Sequence, residues 1–572
     1  AAAAAPTAQP PPSPTAPTAK APGAIPLDVP PAYAELLAPV LPADFSWEAF
    51  AEASRRPLRP CVRINPLKAS VETVRRYSAC NGWWLEEAVP WSTGVAASAG
   101  PGYWVRRDAS ADETPLPPAW AAALPDEAVR AASAAAETGA VPWGRDAAHF
   151  AGHVYAMEAA SLLPVAALVD AFEGGQPPQG VRVLDAAAAP GGKTAALAAW
   201  AAPVGGGVMA NEPNANRSKA LVDNLLRTGA MPWCAVTQLD ARHCGKWWPE
   251  EFDAVLLDAP CSGESLTRRG WLFADRWDQA DNYLNHLSNL QRLLAASAFR
   301  ALKPGGVLVY STCTLNPSEN EGVASYLQET FGDAIEVMPL DRLPGTQGMG
   351  TPDGHLRCWP QVADTQGFFV ARFRKVSSTG VQARVGGAAG GKGRKGKSKE
   401  YRDTSLGGRS VDPVNQQEAK AIERIFREAF GVWTAESEPG LVLRRRGKEI
   451  WLIPEVLAPL RGAGLRRSGI RLAEAKARNL PYPAHFEWAV SFAHKLPAEG
   501  GPGVATLSAQ AARAFCAGED VEPDWCEASA LARDGAQAVA RCGDHLLGIG
   551  RWRGAVLRND TPRHWRCPDI AL

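Results

Sequence analysis

Five short aliphatic and β-branched runs punctuate the middle of the chain: Val181–Asp185, Gly207–Glu212, Ala235–Asp240, Ala254–Asp258 and Val307–Thr312. They are apolar without a clean polar alternation, which is the pattern of strands covered on both faces. Between them lie an Ala/Leu-rich run from Ala195 and a helical stretch over Arg217–Arg227. Strand–helix alternation of this kind predicts an α/β fold with a doubly wound parallel sheet. Leu302–Gly306, rich in Pro and Gly, predicts a turn ahead of the last run. Four runs end in an acid: Asp185, Glu212, Asp240 and Asp258. One such acid usually caps the next helix. Four in strand order after one glycine loop point instead to the ligand-binding edge of such sheets.

The pattern changes on either side of this region. Residues 1–30 are Ala, Pro and Thr with almost no charge and predict a disordered extension. The chain starts without Met, which suggests a processed or partial polypeptide, and its Ala-rich leader lacks the Arg of an organelle-targeting segment. Residues 31–145 predict an N-terminal α+β module carrying Trp47, Trp83, Trp84, Trp91, Trp104, Trp120 and Trp143, which read as packing residues. Residues 146–375 hold the strand–helix alternation. Residues 376–412, with Gly390–Lys399 at their centre, predict a flexible basic linker. Residues 413–495 predict a C-terminal α+β module separate from the preceding sheet, with a helix over Glu418–Phe430 and strands at Leu441–Leu443 and Glu449–Ile453. Residues 496–572 end in a basic strand–turn–strand pattern, Leu546–Asn559. Arg444, Arg445, Arg446, Arg466 and Arg467 are candidate phosphate contacts.

Composition narrows the class. The chain has 572 residues, 46% of them hydrophobic, and a formal net charge of +0, so any nucleic-acid contact rests on local charge. No apolar run reaches the roughly 18 residues of a membrane span. The 11 cysteines show no CxxC spacing, which predicts neither a zinc ribbon nor a disulfide framework and favours a reducing compartment, cytoplasm or organelle matrix. His149 and His153 stand four apart, but Phe150 occupies the place of the glutamate that a zinc protease requires, so the pair reads as structural and no metal is expected.

The loop after Val181–Asp185 passes through Ala187, Ala188, Ala189, Pro190, Gly191, Gly192 and Lys193 to Thr194. Small residues let a ligand approach the backbone, and the helix start that follows attracts negative charge. Gly192-Lys193-Thr194 matches the tail of a phosphate-binding P-loop, but the first glycine of that motif falls on Ala187. An S-adenosylmethionine loop fits better, with Glu212 as a ribose acceptor by the logic of dinucleotide folds. Cys261, beside Asp258-Ala259-Pro260, and Cys313, after Ser311-Thr312, each follow one of the runs. Two thiols at one sheet edge beside a cofactor loop point to covalent chemistry rather than packing.

These segments resemble the Sun-type RNA cytosine-5 methyltransferases. The resemblance rests on Asp185–Thr194, Asn211-Glu212, Asp258–Glu264, Lys303–Gly306 and Ser311–Glu321, with Arg63–Lys68 and Gly367–Ala371 at its ends. It covers about residues 60–375. It implies Cys313 as the nucleophile on cytosine C6, Asp258 as a protonated donor to the base edge, and Cys261 in release of the adduct. The cofactor would lie along Ala187–Lys193, with Glu212 on ribose, Asp240 near adenine and Asp258 near the methionine end. Lys193 would orient the loop or meet the substrate, and Arg63 and Lys68 would flank an RNA-facing turn. Met157 stands where the family usually has Gln. The C-terminal pattern, including Gly469–Glu474, is similar to the small β-barrel (PUA-like) RNA-binding region of the bacterial F-type branch. The resemblance therefore implies methyl transfer to small-subunit rRNA by a monomeric protein without membrane or metal partners. A catalytically silent assembly factor and a tRNA enzyme remain alternatives.

Overall fold

The computed structural model describes residues 29–80, 83–106, 142–269, 280–380, 412–433, 438–460, 464–474, 483–496, 503–523, 525–526 and 535–571. Residues 1–28 of the expected extension over 1–30, Trp120 and nearly all of the basic linker lie outside them.

The five runs form adjacent strands of one sheet: β1 (Arg182–Asp185), β2 (Gly207–Asn211), β3 (Cys234–Thr237), β4 (Phe252–Asp258) and β5 (Leu302–Thr312). β6 (Ile335–Val337), β7 (Leu356–Cys358), β8 (Phe368–Lys375) and β9 (Leu465–Ser468) complete it, in the order β6-β8-β5-β4-β1-β2-β3-β9 with β7 on β8. β1 to β5 pair in parallel. Crossovers use helices α1 (Gly192–Ala201), α2 (Ala215–Arg227) and α3 (Ala280–Ala301); α4 (Glu321–Phe331) follows β5. Both sheet faces are dry. Val183, Leu256 and Val309 pack into one core layer, while their chain neighbours Leu184, Leu257 and Tyr310 pack into the other. That explains the unbroken apolar runs. Strand order reverses between β1 and β4, where loops diverge to opposite faces and leave a crevice.

Four expectations about this sheet and its extent need correction. The sheet is mixed rather than parallel, because β8 runs antiparallel between β5 and β6, and β9 runs antiparallel to β3. Leu302–Gly306 lies inside β5, where the register with β4 shifts between Phe252 and Ala254, so the glycines make an irregular strand start instead of a separate turn. β3 stops at Thr237, and Asp240 caps the next 3-10 turn by accepting from Arg242 N–H. The segment after residue 413 is not separate, since its strand β9 extends the central sheet.

The N-terminal residues form an antiparallel sheet ordered Trp84–Ala88, Gly102–Arg106, Cys61–Ile64, Val154–Ala156. Trp83, Trp84, Trp91 and Trp104 are buried in its packing, as expected of core tryptophans. Arg63 and Lys68 overturn the RNA-facing reading. Arg63 is fully buried and donates to Ala99 O at 2.9 Å. Lys68 Nζ donates to Ala151 O at 2.8 Å and to Arg227 O at 2.7 Å, satisfying a carbonyl at the end of α2. Asn65 Nδ2 supports the same junction through Gly152 O and Thr228 O.

The C-terminal helix runs over Gln416–Phe430, beside a sheet that contains Leu441–Arg446 and Glu449–Pro454. Arg445 pairs with Glu418, and Arg467 with Glu487, so these two cations already have protein partners. A five-stranded sheet follows and ends in the expected hairpin, His545–Arg553 with Val556–Asn559. Among the described residues no helix is long and apolar enough to cross a membrane.

Candidate active site

β1 delivers Asp185 to the crevice, where its Oδ2 accepts from Thr194 Oγ1 at 2.6 Å and ties the start of α1 to the strand end. Burial raises the Asp185 pKa to about 6, partly offset by Thr194 and Lys193. The loop between them needs its glycines. Gly191 sits at φ +108°, and a Cβ on Gly192 would meet the Tyr155 ring at 2.8 Å. Asn211, at the end of β2, fixes the neighbouring loops: its Nδ2 donates to Ala186 O and Leu239 O, and its Oδ1 accepts from Leu239 N–H and Thr237 Oγ1. Glu212 is buried beside it, accepting from Asn214 N–H at 2.9 Å with Arg217 3.4 Å away.

β4 and β5 bring the thiols together. Cys261 Sγ and Cys313 Sγ lie 3.2 Å apart at the carboxyl ends of these adjacent strands. The hydrogen bond with Cys313, and then burial, push the Cys261 thiol far up, so Cys261 keeps its proton. Asp258 accepts from Ser311 Oγ at 2.7 Å through one oxygen and from Lys193 Nζ at 2.7 Å through the other. Burial acts to lower the Lys193 pKa, but Asp258 and Asp185 outweigh it and the net shift is upward. Both Asp258 oxygens are thus engaged by this chain's own side chains, and an ammonium group stands beside the carboxyl expected to act as donor to the base edge.

One cavity of about 1090 Å³ collects Ala187, Ala189, Glu212, Asp240, Asp258, Cys261 and Cys313. Ala188, Pro190, Gly191, Gly192 and Lys193 build the wall behind it without lining it. Asp240 is bound to Arg242, whose hydrogen bond holds its carboxyl below the usual range. The far wall is a face of α3 with Tyr283, His286, Leu290 and Leu293. Sequence reasoning passed over that face, because helical periodicity does not say which side meets a ligand. It also gave no role to Glu264 and Glu319, although both stand inside the quoted motifs. Met157 is partly buried against the core. Among the described residues no group of three or more His, Cys, Asp or Glu side chains is placed to hold a metal ion.

The donor set fits S-adenosylmethionine. A buried carboxylate, Glu212, offers acceptors for ribose hydroxyls, and the small side chains of Ala186, Ala187 and Ala189 leave the backbone open to a close ligand. The volume, about 1090 Å³, is that of a large ligand site, and both thiols stand on its wall.

Residues 176–374 match the family described as 16S rRNA methyltransferase RsmB/F. Ribosomal RNA small subunit methyltransferase F of Aeromonas salmonicida is 36% identical over 92% of this chain and 95% of its own length. The protein of that name from Vibrio parahaemolyticus is 34% identical over 94% and 97%. Among solved structures, a methyltransferase homolog protein from Pyrococcus horikoshii is similar at 28% identity, covering 61% of this chain and 100% of that one with a TM-score of 0.42.

Proposed function

The chain belongs to the 16S rRNA methyltransferase RsmB/F family, and on that premise we propose how its residues methylate C5 of a cytosine in small-subunit rRNA. Cys313 adds through sulfur to C6 of the base, which places electron density on C5. Asp258 accepts from the exocyclic amino group, with Lys193 beside it as the local cation and proton source. S-adenosylmethionine, when bound, supplies an electrophilic methyl group. Once C5 carries the methyl, its proton passes to solvent water, and the electron pair left behind re-forms the C5–C6 double bond and expels Cys313 as a thiolate. Cys261, holding its proton 3.2 Å from Cys313, is placed to return a proton to the departing sulfur. Ala187, Ala189, Glu212, Asp240 and Asp258 line the cofactor side of the cavity, and the rest of the Ala187–Lys193 loop shapes it from behind.

The observation that carries this reading is the pair of thiols on the wall of one cavity with the buried Glu212. The RNA is held, in this reading, by the N-terminal sheet of residues 31–145 and by a PUA-like region over 496–572. Arg553 and Arg558, exposed on the terminal hairpin, support the latter. The units at 146–375 and 413–495 then carry the catalytic sheet and its β9 extension. A reducing cytoplasm or organelle matrix accords with the nine cysteines whose side chains are described, which are free.

The test is methyl transfer from labelled S-adenosylmethionine to small-subunit rRNA and to tRNA, both taken from cells lacking the protein, followed by bisulfite mapping. A single modified cytosine in the rRNA supports the assignment. Label confined to tRNA, or absent from both, refutes it.

A further inference from the structure

Glu264 and Glu319 form a reciprocal arrangement around the thiols. Glu264 stands in the loop of Cys261, yet its Oε1 accepts from the N–H groups of Leu315 at 2.6 Å and Asn316 at 3.0 Å, just beyond Cys313. Its Oε2 accepts from Ser262 Oγ at 2.9 Å and from Thr314 Oγ1. Glu319 stands in the loop of Cys313, yet its Oε2 accepts from Ser262 N–H at 3.0 Å, just beyond Cys261, and from Gln291 Nε2 at 2.7 Å. Each carboxyl therefore grips the chain next to the other loop's thiol. We propose that Glu264 and Glu319 are positioning residues that set the spacing of Cys261 and Cys313 and tune Cys313 reactivity through the charge they carry.

Two acids this close oppose each other's ionisation. Burial first, then Glu319, raises Glu264 to about 7, and burial raises Glu319 as well. The clamp survives a proton because the partners on Glu264 Oε2 are hydroxyls, which donate or accept. Other titratable and charged groups facing this region are Tyr33 from the helix Pro31–Leu37, Lys193 from α1, Asp258 from β4, His286 from α3, Tyr310 from β5 and Arg357 from β7. Ionising Glu264 adds negative charge beside the thiols, which disfavours a thiolate.

Although the inference rests on the methyltransferase reading for its purpose, alkylation of the ligand-free protein tests it without cofactor or RNA, so the two fail separately. Iodoacetamide labelling of Cys313 is followed by mass spectrometry from pH 5.5 to 9. Glu264→Gln keeps an acceptor and a donor but carries no charge, so its rate–pH curve should move to lower pH, with labelling at pH 7.5 roughly threefold faster, a half-unit displacement. Glu264→Asp, which keeps the charge on a shorter arm, should change the rate across the range without that displacement. Melting temperatures establish that each variant folds. If Glu264→Gln does not fold, Ser262→Ala, which removes a hydroxyl that stabilises the ionised carboxyl, should displace the curve in the same direction. Curves for the folded variants that superimpose on that of the wild type overturn the proposal.

Discussion

Lys193 Nζ lies 2.7 Å from Asp258 Oδ2, joining the first turn of α1 to the end of β4. The contact makes the glycine loop part of the reaction centre as well as the cofactor wall. Replacing Asp258 by Asn removes the charge that Lys193 neutralises and turns one of its two acceptor oxygens into a donor. The single-turnover rate of methyl transfer should fall by about a hundredfold or more. Lys193→Met should lower that rate too while leaving the fold intact. A normal rate in Asp258→Asn, measured at saturating cofactor, counts against a role for this pair.

Glu212 is nearly inaccessible to solvent and faces the same cavity. If it accepts from cofactor hydroxyls, Glu212→Ala should lose a charge-assisted hydrogen bond of about 1.5–3 kcal/mol, or roughly ten- to a hundredfold in cofactor affinity. Calorimetric titration with S-adenosylmethionine measures this. Unchanged affinity would place the ribose elsewhere.

His494 and His545 sit where the N-terminal, central and C-terminal parts meet, and burial pushes each down to about 3. His153, whose ring centroid is 5.1 Å from that of His545, is also depressed by burial. A depressed histidine binds its proton more readily when unfolded. Their contribution to stability is thus complete above the unfolded value near 6.5 and is lost as pH falls toward 3. The melting temperature should drop between pH 7 and pH 5, by an amount corresponding to on the order of 1 kcal/mol per histidine. His545→Gln should weaken that dependence. A melting temperature flat over this interval would contradict the account.

Much of this centre was legible in the chain because strands buried on both faces leave unbroken apolar runs, and because Asp258, Cys261 and Cys313 follow those runs directly. Arg63 and Lys68 misled for a physical reason: a cation in a loop reads as solvent-facing, whereas here the carbonyls ending α2 draw Lys68 inward. Strand β9 was missed since Leu465–Ser468 is short and mostly polar, and an edge strand is recognised by its partner β3 rather than by its own pattern. The Glu264–Glu319 exchange needs two loops, 50 residues apart at the Thr314–Glu264 contact, to meet in space, which periodicity does not encode.

The central claim is that Cys313 bonds to the base and Cys261 frees it. Denaturing gel analysis of protein incubated with S-adenosylmethionine and small-subunit rRNA tests it directly. Cys261→Ala should accumulate a covalent protein–RNA species that the double variant Cys261→Ala, Cys313→Ala cannot form. Methyl transfer persisting in Cys313→Ala, or an adduct surviving in the double variant, would contradict it.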